Sequence, residues 1–496
     1  MKLILASLIG VVFLLTISSI NCIQPGLQIA LSAKGLNYLA QVTSEYFNQN
    51  VTGLKLDEID GSVQFKKGFI SYTITYSIYD ISIAKFSVGS TSMTSSSNKG
   101  VVFQINNINA EIQGQFHIDG DFFTATTTAT ISLANGKLVA SASLGSTSDG
   151  RFNLSCTSCI ATVGSVSVDF HGGSSWFFKV LDEISDFADL IQDKFQAICK
   201  LLDKLIDVDG NDKLKTFPIK KEINHEAIID YSQTGSPYYD SKGMATFHKG
   251  EFTPSSNPSI KYNFTAKPFP FIRTNKMISF WLSEYVGNTA GITYQIEKSL
   301  KFLLSPETAD NAMLRAFLNT RFLRNVLPQF YQKYPNMNYT IMVTSTKAPH
   351  VEIFEQISCL NVNVMMNFST LTSNGSVPAF TTEAVVNVNT TAKIDANLIL
   401  KVILKSMNGN LQLKSTEIGP ISSNELKRLK VYFIDIILKG AISSIGRMGF
   451  QLPAISGVKF VNSSVNLHNG FVFIESDAIY KLSTKMTNLY YIDKRI

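Results

Sequence analysis

The chain has 496 residues, 45% of them hydrophobic and only 17% charged, with a formal net charge of +6. At roughly 100–200 residues per domain this length points to two to four domains. The apolar content excludes intrinsic disorder, and five cysteines are too few for a disulfide scaffold. The charge is uneven: residues 24–250 carry 18 basic and 23 acidic side chains (net −5), and residues 251–496 carry 25 and 15 (net +10). The basic residues are scattered through strands, and the one cluster, Lys427-Arg428-Leu429-Lys430, reads as a solvated helix face. Nucleic acid, which would want a gathered positive surface, is therefore not an expected partner.

At the start, Lys2 precedes an apolar run from Leu3 to Leu15 and then small polar residues, so residues 1–22 read as a secretory signal peptide. The run is too short to span a bilayer, and no later stretch approaches the length that would. The mature protein is expected to be secreted and extracellular. In that compartment eight sequons become glycosylation candidates: Asn50, Asn153, Asn263, Asn338, Asn367, Asn374, Asn389 and Asn462.

Residues 32–49 place Leu36, Leu39, Ala40, Thr43, Tyr46 and Phe47 on one face at helical spacing. From Ile70 the period changes to two, and apolar and hydroxyl residues alternate in strands to about Asp169. Asp119-Gly120 and Asn135-Gly136 have the composition of primed hairpin turns. Residues 174–207 predict a long helix, about 50 Å at ~1.5 Å per residue. Its wide apolar stripe includes Phe187 and Ile191 and suits covering a sheet. From 216 to 272 six prolines punctuate Ser-, Tyr- and Asn-rich sequence, a connector with some strand content. The second half repeats the plan: a helix near 277–287, a helical region near 308–333, strands from Tyr339 to Val402, a helix near 422–448 and a hairpin at Asn469-Gly470. This is a duplication of architecture without a visible sequence repeat.

The chain holds no G-x-S-x-G, Walker loop, G-x-G-x-x-G or H-E-x-x-H, and its six histidines lie far apart. Residues 207–212 resemble a calcium loop but fail its register, and helix termination at Gly210 explains them. No enzyme activity, metal or cofactor is expected. Cys156 and Cys159 form a C-x-x-C that lacks the second pair a zinc site needs. In an oxidising compartment a disulfide from one of the two to Cys199 is expected, stapling helix to sheet.

Several segments carry a family resemblance. Pro25-Gly26 followed by Lys34-Gly35-Leu36, the C-x-x-C with Cys199 beyond it, and Tyr334-Pro335-Asn336-Met337 are three of them. Gly449-Phe450-x-Leu452-Pro453 is another, and the run from Leu282 to Gly291 (LSEYVGNTAG) is the most specific. Together they resemble the bactericidal/permeability-increasing protein, lipopolysaccharide-binding protein and plasma lipid-transfer protein family over essentially the whole mature chain. The resemblance implies a Cys159–Cys199 disulfide. It implies an α+β fold, an elongated two-domain boomerang in which each domain is a highly curved antiparallel sheet (barrel) wrapped on a long helix and a central sheet joins the two. Residues 23–215 and 273–496 would be the lipid-binding domains and 216–272 the connector. It further implies apolar pockets for phospholipid or another acyl lipid, with Leu36, Leu39, Phe187 and Ile191 as the pocket candidates, and transient contact with a membrane or lipoprotein surface. The expected function is secreted, non-enzymatic lipid binding or transfer. The alternative is an endotoxin (lipopolysaccharide)-binding role in innate defence, and a scaffold glycoprotein that carries no lipid is a third reading. One departure bears on the choice. In the antibacterial relatives a basic hairpin tip meets lipopolysaccharide phosphates, whereas the corresponding residues 114–122 here carry two acids and no Lys or Arg, with Lys66 and Lys67 nearest.

Overall fold

A computed structural model describes residues 24–480 except 68–69, 122, 173–194, 197, 217, 271, 273, 310–311, 396–398, 439–449 and 452–457. The signal segment 1–22 and most of the helix expected over 174–207 lie outside the described residues. The fold is α+β: two curled antiparallel sheets, one per domain, a shared sheet between them, and a small sheet of Glu251–Pro254, Ala227–Asp230 and Lys220–Asn224.

The first domain's sheet runs Ile59–Lys67, Ile70–Ser96, Gly100–Gly120, Phe123–Ser146 and Phe152–Thr162 in sequence order, and Ser165–His171 also pairs with Phe123–Ser146. Hydroxyl-rich alternation gives these strands one dry and one wet face, which accounts for the low charge of the chain. Ile70–Ser96 is 27 residues long, and a strand of that length can cover a small core only by bending. The bend is built from bulges. Asn107 and Asn135 have φ of 53° and 56°, and the register slips between Asn106 and Ile108 and between Ile108 and Ala110. Gly89 lies against Asn107, and Gly164 against Asn135, each too close for an added Cβ. Asn135-Gly136 therefore is not a hairpin turn. It supplies the left-handed backbone that such a turn needs, but uses it for a bulge in the middle of a strand. The other expected hairpin is present two residues later, closing between Gly120 and Phe123.

Helix Ala33–Asn50 lies along the second of these strands: the Thr91 hydroxyl donates to the Ala40 carbonyl (3.0 Å) and the Val88 amide to Asn48 Oδ1 (3.2 Å). A second helical stretch follows the sheet, Ile198–Lys204, a π-helical turn Leu205–Gly210 and Asn211–Thr216. The helix does not end at Gly210 as expected, because the residues around that glycine are tied to the sheet. Asp207 Oδ1 accepts from the Cys156 amide (2.6 Å), and the Asn211 side-chain amide exchanges two hydrogen bonds with Leu154 (2.7 and 2.8 Å).

The central sheet takes strands from the start, middle and end of the chain, in the order Tyr238–Asp240, Gly243–His248, Leu27–Ser32, Ile278–Ser283, Phe471–Tyr480 and Val458–His468. Ile278–Ser283 is a strand, not the start of a helix. Ile278, Phe280 and Leu282 alternate with Ser279, Trp281 and Ser283. The helix Glu284–Ile296 begins only after Ser283, which caps it by accepting from the Tyr285 amide. One face of the sheet, with Ile29, Phe280 and Ile474, packs on Ile353 and Leu400 of the second domain. Trp281, Phe471 and Phe473 on the other face meet Phe269 and Ile272.

The second domain's sheet runs Lys301–Leu304, Tyr339–Ser345, Ile357–Thr372, Gly375–Ile394, Ile399–Thr416 and Phe450–Gln451, with His350–Phe354 also on the third strand. Its strands continue past Val402, the expected limit, to Thr416. Short helices Ala312–Phe317, Thr320–Leu323 and Pro328–Lys333 stand in the expected helical region. Helix Ser423–Lys430, held by a Ser422–Glu425 capping box, continues into a π-helical turn Val431–Leu438. The remainder of the helix expected to 448 lies outside the described residues.

Candidate functional site

The first domain's dry face gathers Ile74, Ile78, Ile81, Ile105, Phe116 and Ile131 into one buried cluster with Phe195 and Cys199 from the second helical stretch. Of the pocket candidates, Leu36 is 1% exposed and Leu39 41%. The line of burial on the first helix runs from Leu36 to Ala40, and Leu39 stands on its shoulder. A step of three residues turns about 300° and a step of four about 40° past a full turn, so neighbours on one apolar face need not share its centre. Phe187 and Ile191 lie outside the described residues.

Cys159 and Cys199 form a disulfide, with Cα atoms 5.5 Å apart. It belongs to a row of contacts. Strand Phe152–Thr162 pairs with Phe123–Ser146 on one side. On the other side its groups meet the helix in antiparallel order: Leu154 with Asn211, Cys156 with Asp207, Cys159 with Cys199 and the Ala161 amide with Gln196 (3.0 Å). An open strand edge invites pairing with other chains, and here side chains satisfy it. The free thiol Cys156 sits among them. Burial and the nearby Asp203 and Asp207 push it up to about 11, so the thiolate is a minor species at neutral pH. Burial also raises the pKa of Cys359, the other free cysteine among the described residues. Among the described residues no group of three or more His, Cys, Asp or Glu is placed to hold a metal ion.

The strand leading to the first domain's hairpin tip turns Phe116 and Ile118 inward. Phe116 and Ile118 are fully buried, whereas Asp119 and Asp121 are exposed. His117 Nδ1 lies 2.8 Å from Thr126 Oγ1. The adjoining recess is lined by Asp60, Ser62, Thr75, Tyr76 and His117, with no Lys or Arg among its lining residues. Lys66 and Lys67 end the neighbouring strand, paired with Ser71 and Ile70.

The run from Leu282 to Gly291 is a structural joint. The Glu284 carboxylate accepts from the Ile353 amide (3.0 Å) and from Lys267 Nζ (2.7 Å). The Tyr285 hydroxyl donates to the Glu251 carboxylate, which also pairs with Lys249 at 2.6 Å. Asn288 exchanges two hydrogen bonds with the Val351 backbone, and Thr289 Oγ1 accepts from the Phe252 amide. At Gly26 and Gly291 an added Cβ would fall 2.4 Å from the Lys249 carbonyl oxygen and 2.6 Å from that of Pro349. One helical turn thus fastens the central sheet, the connector and the second domain. Sequence reasoning recognised this motif without finding its role, because its partners lie far along the chain. The capping serine before Glu284 was the one local signal.

Six sequon asparagines are exposed: Asn153, Asn263, Asn338, Asn367, Asn374 and Asn462. Asn389 is half-buried and donates its side-chain N–H to Ser406 (3.1 Å). The side chain of Asn50 lies outside those described.

Residues 35–207 match the N-terminal domain of the LBP / BPI / CETP family and residues 221–480 its C-terminal domain. Human lipopolysaccharide-binding protein is 25% identical over 468 residues, covering 92% of this chain and 94% of that protein. Rat bactericidal permeability-increasing protein is 23% identical over 470 residues, covering 91% and 93%. The crystal structure of a lipopolysaccharide-binding protein superposes with a TM-score of 0.57 at 18% identity, covering 92% of this chain and all of that one.

Proposed function

Because the chain belongs to the LBP / BPI / CETP family, we propose that it is a secreted, non-enzymatic carrier of phospholipid, holding acyl chains in apolar domain interiors. The observation that carries this reading is the first domain's strongly bulged sheet, whose dry aliphatic face packs against the helical stretch stapled to its edge, with helix Ala33–Asn50 lying along its second strand. Acyl chains suit such a lining. Each buried CH₂ gains about 0.8 kcal/mol over water but close to nothing over a bilayer, so lipid exchanges with a membrane without an energy source. No bond needs to be made or broken, and the family's lipid chemistry is served without a catalytic residue. Leu36 is proposed as a wall residue of this interior, with Leu39 at its margin, and Phe187 and Ile191, outside the described residues, stand as pocket candidates on their sequence alone.

The names of the relatives favour a second reading, lipopolysaccharide binding. A cluster of phosphates wants a positive surface, and the first-domain tip presents Asp119 and Asp121 instead. Phospholipid is therefore the preferred cargo. Extraction of protein purified without detergent should yield glycerophospholipid in fixed proportion to the chain, and Leu36→Asp should lower that proportion several-fold. Lipid-free protein, combined with salt-sensitive binding to lipopolysaccharide, would favour the second reading.

A further inference from the structure

The disulfide sits on a strand edge that presents two cysteines to one helix. Along Phe152–Thr162 sheltered and exposed residues alternate, and Leu154, Cys156, Cys159 and Ala161 take the sheltered side. Three steps along a regular strand would put Cys156 and Cys159 on opposite faces. A bulge returns them to the same one: Ala142 pairs with Cys156 and Ser141 with Ser158, so Thr157 is the extra residue. The helical stretch runs antiparallel to this edge. From Asn211 to Gln196 it rises about 22 Å, and the strand from Leu154 to Ala161 about the same, so the two stay level.

On the helix, the groups that meet the strand recur every four residues: Cys199, Asp203, Asp207 and Asn211. Cys199 bonds Cys159, Asp207 Oδ1 accepts from the Cys156 amide, and Asn211 Oδ1 accepts from the Leu154 amide. Asp203 faces the Cys156 thiol. Residues four apart stand on one face, about 6 Å along the axis. A helix moved one turn along this edge therefore meets the same kinds of partner. Cys199 then stands opposite Cys156, Asp203 accepts from the Cys156 amide, and Asp207 accepts from the Leu154 amide. Two contacts lack a successor. Asn211 Nδ2 donates to the Leu154 carbonyl (2.8 Å), which an aspartate cannot repeat, and Gln196 accepts from the Ala161 amide, which Lys200 cannot. These two favour the observed register. The π-helical turn Leu205–Gly210 lies in the same stretch, where the helix already departs from α geometry.

We propose that this edge is a thiol–disulfide latch with two registers, Cys159–Cys199 as observed and Cys156–Cys199 with the helix one turn along. In the exchange the Cys156 thiolate bonds to Cys199 Sγ as the Cys159–Cys199 bond breaks. Cys159 leaves as a thiolate and takes up the proton that Cys156 gave up, so no oxidant or reductant is consumed. One-turn steps of an element past its neighbour are an established form of two-state switching. The shift brings Phe195, buried in the first domain's cluster, to the level that Cys199 now holds, and so changes the space closed over the dry face. Because thiolate is scarce at Cys156 at neutral pH, the exchange is slow without a thiol catalyst.

The test incubates the full chain with a trace of reduced glutathione and blocks free thiols in acid. Mass spectrometry of unreduced peptides, with fragmentation between Cys156 and Cys159, then locates the bond. The parent should hold a minor fraction of Cys156–Cys199 within single chains. Asn211→Asp keeps the acceptor for the Leu154 amide and removes the donor. It should raise the ratio of the second bond to the first about fivefold, the loss of one hydrogen bond. Asp203→Ala removes the acceptor that the second register needs for the Cys156 amide and should lower the ratio by a similar factor. A general loosening of the helix would move both variants the same way. Cys159→Ser should close Cys156–Cys199 within the chain. If that variant fails to fold, the two ratios decide. A folded Cys159→Ser chain with Cys156 and Cys199 both free, or a ratio that the two variants shift alike or leave unmoved, would overturn the proposal. The pairing is read from the cysteines alone, so the latch and the carrier reading stand or fall separately.

Discussion

The two domains have similar sheets and unlike interiors. The second is built round a stack of aromatic side chains among aliphatic ones: Phe368 stacks on Phe380 at 4.1 Å, with Phe433 at 4.8 Å and Phe330 at 5.5 Å from those rings. Phe330, Tyr339, Phe368 and Phe433 are almost wholly buried. The first has fewer rings: Phe116 and Phe195 are buried among a majority of isoleucines and leucines, with Tyr76 and Phe170 against Phe116, and its covering helix is held at the sheet edge by a disulfide and amide side chains. Aromatic stacks hold a fixed shape and fill their own volume. An aliphatic lining closed by an edge staple owes less of its shape to its contents. This contrast favours the first interior as the place for the exchangeable acyl chains proposed above.

The largest effect expected from this contrast is in the second domain. Phe380→Ala should cost about 3–5 kcal/mol, read as a lower denaturant midpoint of that domain, with lipid content per folded chain unchanged. Removing the staple with Cys159→Ser and Cys199→Ser should cost the first domain about 3–4 kcal/mol and leave the second domain's transition in place. Equal loss in both would mean the domains unfold as one unit. Asn288→Ala leaves the Val351 N–H and C=O unmatched and should cost about 2–3 kcal/mol. Because this joint links the halves, the expected signature is separation of two unfolding transitions.

The smallest effect is one of pH. Burial lowers the pKa of His248, whose ring nitrogens lie 2.9 Å from the Tyr231 carbonyl oxygen and 3.0 Å from Thr246 Oγ1. The folded chain thus binds a proton less readily than the unfolded one. Stability from this group is full above the unfolded histidine pKa, about 6.5, and falls as the pH drops below it. Unfolding midpoints compared between pH 7 and pH 5 should show a shallower loss in His248→Gln than in the parent. An unchanged slope would assign the acid sensitivity to other groups.

Most of the architecture was legible in sequence because period-two alternation and helical stripes are local signals. The errors arose where one local pattern serves two structures. Asn135-Gly136 has the backbone freedom of a turn, yet long strands on both sides make it a bulge. Ile278–Ser283 carries bulky residues that suit a helix, but it is paired on both sides in the central sheet. Gly210 reads as a stop, but Asp207 and Asn211 are bound to the strand edge and the helix goes on. Leu36 and Leu39 are equals on one face in the sequence, and only three-dimensional packing separates them.

Carriage of phospholipid is tested most directly by native mass spectrometry of the detergent-free chain, with organic extraction of the same sample. The expected result is a mass above that of the polypeptide with any attached glycan by whole numbers of glycerophospholipid molecules, lost on extraction and reduced in Leu36→Asp. A chain that flies at its polypeptide-plus-glycan mass, and takes up no phospholipid after incubation with vesicles, would contradict the account.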